Sequence, residues 1–157
     1  MKIIIFPWAK MLRNNQKHPK NYPWWQQLIE LLEKNGHTVT QVGLEGEPQL
    51  TQNFLTNLPV KELEKLIMEH DTWFSVDSFG QHLAWSLGRR GIAIFGQSDP
   101  NIFGHEENIN VLKDRSYLRD RQFWWWEQAE YREDCWVEPE KIYEIFVENF
   151  VKEQNHA

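Results

Sequence analysis

Asp77, Ser78 and His82 lie in the run Ser75-Val76-Asp77-Ser78-Phe79-Gly80-Gln81-His82, where an apolar stretch stops at an Asp-Ser-x-Gly turn and a helix begins. Asp or Ser at such a junction caps the helix, and the backbone N–H groups at its start attract an anion such as phosphate. His82, about one turn further in, is able to donate to a phosphate oxygen. The same residues also fit a plain helix cap followed by a packed or exposed histidine. The pattern alone leaves both open.

Other loops carry complementary chemistry. The segment AKMLRNNQKHPKNYP, residues 9–23, holds Lys10, Arg13, Lys17, His18 and Lys20, the densest positive patch in the chain. Glu45 and Glu47 sit in GLEGE, either as a solvated turn or as partners for a ribose or sugar hydroxyl. FGQSDPNIFG places Ser98 and Asp99 in a turn-forming stretch that would lie beside the Asp77 loop at the sheet edge. No metal is expected, because the histidines lack a ligand spacing such as HExxH. Neither GxGxxG nor GxxxxGK[ST] occurs. Cys135, beside Trp136 in an acidic stretch, has surroundings that raise a thiol pKa instead of activating a nucleophile.

These loops need a frame to hold them. KIIIF (residues 2–6) is a β-branched apolar run suited to a strand buried on both faces. WWQQLIELLEK (24–34) has helical spacing, with Pro23 before it and Asn35-Gly36 as its stop. HTVTQVGL reads as a second strand, PVKELEKLIMEH as a helix and TWFSV as a third strand. QHLAWSLG reads as a short helix and GIAIFG as a fourth strand, with NINVLK as a last short one. Strands and helices alternate, which predicts an α/β fold, a Rossmann-like parallel sheet with helices on both faces. SYLRDRQFWWWEQAEYRED reads as partly helical, and EPEKIYEIFVENFVKEQ as a terminal helix striped by Ile142, Ile145, Phe146, Phe150 and Val151. The 157 residues are expected to form one domain, with a core over about 1–113 and an aromatic-rich helical segment over 114–157. Ligands of such sheets sit at the carboxyl ends of the strands, where the Lys10–Lys20, Glu45 and Asp77 loops would meet.

The bulk composition narrows the function. A net charge of −6 excludes a nonspecific grip on nucleic acid, which needs a basic footprint. One cysteine excludes an internal disulfide, no run is long and apolar enough for a membrane span, and MKIIIFPWAK is too short for a signal peptide. A cytoplasmic protein is expected. The nine Trp are core fillers, interface residues or both, and the run Trp124–Trp126 cannot all face one way on a helix.

The stretch DSFGQHLAWSLGRRGIAIFGQSDPNIFG resembles the nucleotide-sugar-binding half of glycosyltransferase family 9, the heptosyltransferase-like enzymes of GT-B architecture. The resemblance runs through Asp77, Ser78, His82, Leu83, Gly88, Ile92 to Phe95, Gly96, Ser98, Asp99 and Pro100. The basic loop, Trp-containing helix and second strand extend it over roughly residues 1 to 113. It implies that Asp77, Ser78 and the backbone around Phe79-Gly80 hold a diphosphate, and that His82 supports that turn or donates to the phosphate. It implies further that Lys20 or Lys17 neutralises the departing charge, and that Glu45 or its backbone lies near the nucleoside. Lys10, Ser98 and Asp99 would face the same ligand.

In this family a first Rossmann-like domain supplies the acceptor site and a catalytic carboxylate. Met1 here opens directly on the strand that starts the second domain, so that half is expected from a partner or a second copy. No catalytic residue is assigned. Three readings follow: a glycosyltransferase binding a nucleoside-diphosphate sugar, a noncatalytic nucleotide or nucleotide-sugar binder, and an interaction protein that kept the fold.

Overall fold

The computed structural model describes residues 1–155. Its centre is a sheet of β1 (Lys2–Phe6), β2 (Thr38–Gly43), β3 (Asn53–Thr56), β4 (Thr72–Val76), β5 (Ile92–Phe95) and β6 (Ile109–Leu112). All five pairings are parallel, in the order β3-β2-β1-β4-β5-β6. The connecting helices are α1 (Trp25–Lys34), α2 (Val60–Met68), α3 (Phe79–Ser86) and α4 (Pro100–Phe103), and α5 (Pro139–Phe146) follows later. The α/β fold with helices on both faces is therefore as the alternation predicts.

The central strands are apolar throughout because both faces are covered. Ile3 and Ile5 of β1 point to the face packed by Trp25, Leu28, Ile29 and Leu32 of α1 and by Ile142 and Phe146 of α5. Ile4 and Phe6 point to the opposite face, under Ile67 of α2 and Ala84 of α3. This period of two is the pleat itself. Trp25, Trp73 and Trp136 are core fillers with almost no exposure, whereas Trp85, Trp124 and Trp125 stay open to solvent. The tryptophans thus divide between core and surface.

Three elements differ from the sequence reading, one of them α4, a single helical turn where only a loop was expected. β3 was not anticipated: NFLT is four residues long, only half-buried, and pairs with β2 alone. An edge strand that short has too few apolar residues to announce itself. The segment after β6 is not α-helical before Pro139; it holds only 3-10 turns at Arg115–Tyr117 and Trp126–Gln128. There the Arg119 guanidinium donates to the carbonyls of Gln122, Trp124 and Trp125, and the last also accepts the Gln128 N–H in the short 3-10 turn. Pro139, at the first position of α5, begins the terminal helix where a missing N–H does no harm. Among the described residues no helix is long and apolar enough to cross a membrane.

Candidate functional site

The strand order reverses between β1 and β4, whose onward chains leave in opposite directions. At such a switch point the loops diverge and open a crevice outside the carboxyl ends. Here that crevice is a cleft of about 480 Å³. Phe6 closes its floor, and Lys10, His18 and Lys20 come from the loop after β1. Gly43, Leu44 and Glu47 follow β2, and Asp77, Ser78, Phe79 and Gly80 follow β4. Leu55, Asn57, Leu58 and Leu63 make its other end largely apolar.

The charged centre is Lys20 with Asp77. Lys20 Nζ lies 3.1 Å from Asp77 Oδ2, the carboxylate almost fully buried and the amine partly open. The approach is off the line of a hydrogen bond, so the contact is an ion pair and Oδ2 has no hydrogen-bond donor. Asp77 Oδ1 accepts from Gln81 Nε2 at 2.8 Å. The Asp77 side chain is thereby directed along α3 and does not cap it. Ser78 occupies the N-cap position in extended conformation (φ −153°, ψ −176°), also without a side-chain cap. Its hydroxyl instead stands 3.3 Å from Ser75 Oγ. No side chain takes the first amides of α3, beside Phe79 and Gly80 of the cleft wall.

Gly80 is required by packing. A Cβ there would overlap the Phe6 ring, so only glycine lets α3 start this close to β1. On the opposite wall Glu47 curls back under Gly43 and accepts the N–H of Leu44, and burial pushes its carboxyl pKa up. His18 is buried, and its Nδ1 accepts the N–H of Lys20 at 3.1 Å. Burial, followed by the charges of Lys20 and Arg119, lowers its pKa to about 4 against the pull of Glu127, so the ring is neutral at physiological pH. Trp126 stacks over this corner, with Arg119 Cζ 3.5 Å and Lys20 Nζ 5.1 Å from its ring centroid.

The residues singled out in the sequence fall into two groups. Lys10, Lys20, Asp77, Ser78, Phe79 and Gly80 line the cleft together. His82, Lys17, Glu45, Ser98 and Asp99 do not line it. His82 is turned to His105, its Nδ1 2.7 Å from His105 Nε2. It keeps an exposed edge, yet partial burial and the His105 ring lower its pKa. Lys17 Nζ sits 3.9 Å over the Tyr131 ring. Glu45 is exposed, its N–H donated to Asn57 Oδ1. Ser98 is buried, and Asp99 caps α4 through Asn101 N–H while Arg115 grips it at 2.8 and 3.0 Å. That guanidinium holds the Asp99 carboxyl below the usual range.

Sequence reasoning missed Trp8, Asn57, Leu58 and Leu63 as lining residues and gave His18 no place at the site. Their one signal was position, at the ends of β1 and β3 and on α2. Among the described residues no three His, Cys, Asp or Glu side chains group as metal ligands.

An uncapped helix start beside a Lys–Asp pair at the switch point of a parallel sheet defines an α/β protein with a cleft at the carboxyl ends of its strands. The chain belongs to glycosyltransferase family 9 (heptosyltransferase), whose sequence profile matches residues 2–122. Among solved structures it is similar to ADP-heptose LPS heptosyltransferase II of E. coli (TM-score 0.72, 17% identity), over 98% of this chain and 47% of that one. It is also similar to E. coli heptosyltransferase WaaC with ADP (TM-score 0.67, 14% identity), over 94% and 44%. A third is the dodecameric iron-containing heptosyltransferase TibC of enterotoxigenic E. coli, in complex with ADP-D-β-D-heptose (TM-score 0.61, 16% identity), over 87% and 35%. At these identities the likeness is one of fold. This chain spans less than half the length of each of these proteins. No curated protein matches it in sequence.

Proposed function

We propose that the cleft holds the nucleoside diphosphate of a nucleotide-activated sugar, and that the protein serves sugar transfer together with a second surface carrying the acceptor and its base. One observation carries this: the buried Asp77 carboxylate fixes Lys20 at the uncapped start of α3, where amides and ammonium converge. A departing diphosphate gains negative charge, and fixed donors beside it lower the barrier. In this role Lys20 neutralises the charge, while the backbone N–H groups of Ser78, Phe79 and Gly80 donate to phosphate oxygens. Lys10 stands at the mouth, and the apolar end beside Leu55, Leu58 and Leu63 takes the base. His82, about one turn along α3 and outside the cleft lining, meets a phosphate that extends past the helix start, through the Nε2 left free by its contact with His105. Lys17, Glu45, Ser98 and Asp99 support the loops around the ligand.

Two of the structurally similar proteins, WaaC and TibC, were solved with ADP and with ADP-D-β-D-heptose, so those are the first ligands to try. The second surface comes from a partner protein or a second copy. We place the protein in the cytoplasm: its lone thiol, Cys135, is buried and pushed up to about 11, and needs no oxidising compartment.

Thermal unfolding against a panel of nucleoside diphosphates and their sugars tests the proposal. A ligand at a hundred times its Kd adds about 2.7 kcal/mol of stability. The shift should appear with an ADP or other NDP ligand and vanish in Lys20→Met and Asp77→Asn. Silence across the whole panel refutes the nucleotide site. Binding with no transfer in the presence of candidate partners and acceptors marks the protein as a noncatalytic binder.

A further inference from the structure

Among the described residues, the closest approach of two titratable rings is that of His82 to His105. His82 Nδ1 and His105 Nε2 are 2.7 Å apart, with the rings edge to face at 4.9 Å between centroids. His105 is clamped from behind: its ring stacks on Trp85 at 4.1 Å and 9°, and Trp85 Nε1 donates to Glu107 Oε2 at 3.0 Å. An imidazole held by a stacked indole keeps its edge aimed at one partner. His82 is the histidine of α3, the helix whose start forms the cleft wall.

The proton count of this pair has a consequence. A nitrogen–nitrogen distance of 2.7 Å accommodates one proton between the rings, donated by either one. With both rings neutral, the outer nitrogen of His82, Nε2, carries a proton only if His105 is the donor. Add one proton to the pair, and both outer nitrogens are N–H whichever ring holds the shared proton. His82 Nε2 is then a charged donor. Add a second, and two N–H groups face each other and the contact breaks. The pair therefore accepts a single proton while it stays closed.

We propose that His105 is a positioning residue that lets His82 take up one proton when a diphosphate enters the cleft, a role that rests on the nucleotide site proposed above. His105 accepts the Nδ1–H of His82, and the positive ring meets the phosphate through Nε2. The charged groups bearing on the pair are Lys20, which opposes protonation of His82, Asp77, which favours it, and Glu107, which lies against His105. In the free protein burial, then the His105 ring and Lys20, lower the pKa of His82. An incoming diphosphate cancels the charge of Lys20 and tips the balance. Ligand binding then consumes a proton and weakens as pH rises.

The test uses the full chain and ADP. Calorimetric titration in PIPES and in Tris at one pH reads proton uptake from the difference in heat. Wild type should take up a substantial fraction of one proton, and its affinity should fall threefold to tenfold per pH unit, on the order of a one-proton linkage. His105→Phe retains a ring to stack on Trp85 but cannot accept a proton; it should lose the uptake and flatten the pH profile. His105→Gln offers a carbonyl oxygen that can accept the Nδ1–H of His82, and should restore the uptake and the pH dependence. Unchanged uptake in His105→Phe overturns the proposal. The ring nitrogens of the ligand-free protein give an independent reading by NMR. A His82 titration identical in wild type and His105→Phe also overturns it, even if ADP proves not to bind. Loss of ADP binding with the NMR coupling intact counts against the nucleotide site and leaves the shared proton standing.

Discussion

The ammonium of Lys20 and the carboxylate of Asp77 meet at 3.1 Å, although one comes from the loop after β1 and the other from the turn after β4. The pair staples the two loops that diverge at the switch point. Removing one partner from a buried pair leaves an uncompensated charge, which costs about 3–5 kcal/mol in well-buried cases. Lys20 is partly open, so Lys20→Met should fall toward the lower end, roughly 2–3 kcal/mol. Asp77→Asn should cost less, because Gln81 retains a partner. In urea unfolding the double variant should be more stable than the sum of the two losses. Additivity within about 0.5 kcal/mol would mean that the two side chains do not interact.

Gly80 and Phe6 set the closeness of α3 to the sheet. Gly80→Ala forces its new methyl into the Phe6 ring. Overpacking of this kind costs about 1–3 kcal/mol. Truncating the ring as well, in Gly80→Ala with Phe6→Leu, should recover part of the loss in thermal unfolding. A neutral Gly80→Ala would show that the helix start yields without strain.

His18 makes stability depend on pH. Its pKa is lowered from 6.5 to about 4 in the folded chain. Between those values the unfolded chain binds a proton that the folded ring refuses, so this contribution is complete above pH 6.5 and declines as pH falls toward 4. His18→Asn keeps an acceptor for the Lys20 N–H and removes the titration. The difference in stability between wild type and variant should vary with pH inside that window and level off outside it. Chemical denaturation at several pH values reads it directly, and a constant difference would contradict a neutral buried His18.

Trp136 is fully buried and donates its Nε1 proton to the carbonyl of Arg132 at 2.9 Å. Trp136→Ala should cost about 3–5 kcal/mol, the usual range for a large core aromatic. Trp125→Ala, at an exposed position, should stay within about 0.5 kcal/mol. Equal losses at the two sites would show that the exposed run contributes to the fold.

Much of the frame was legible because strands covered on both faces leave unbroken apolar runs: Ile3-Ile4-Ile5 and Ile92-Ala93-Ile94 read at once. Phe54 and Leu55 of β3 did not, since an edge strand buries one shallow face and is outweighed by the turns on either side. At the site, Asp77, Ser78 and Lys20 were legible by type and by their place after strands. The choice of Lys20 over Lys17 as the partner of Asp77 was not, because both lie in one irregular loop and only its path separates them. His18 was illegible as a cleft residue for the same reason. Its neutrality arises from burial beside Lys20 and Arg119, which no local pattern records. The aromatic run forms only a short 3-10 turn, with Arg119 donating to carbonyls along it, a tertiary contact invisible in spacing.

Cys135, Trp136, Ile142 and Phe146 all lie beyond residue 122, where the match to the family ends, yet each is fully enclosed in the core that covers β1, β4 and β5. The borders of kinship are therefore not the borders of the folding unit. A fragment trimmed to the matched residues would keep the cleft's lining residues and lose a wall of the building that holds them upright. A change at Ile142 or Phe146 must therefore answer to the α1 face those side chains pack against.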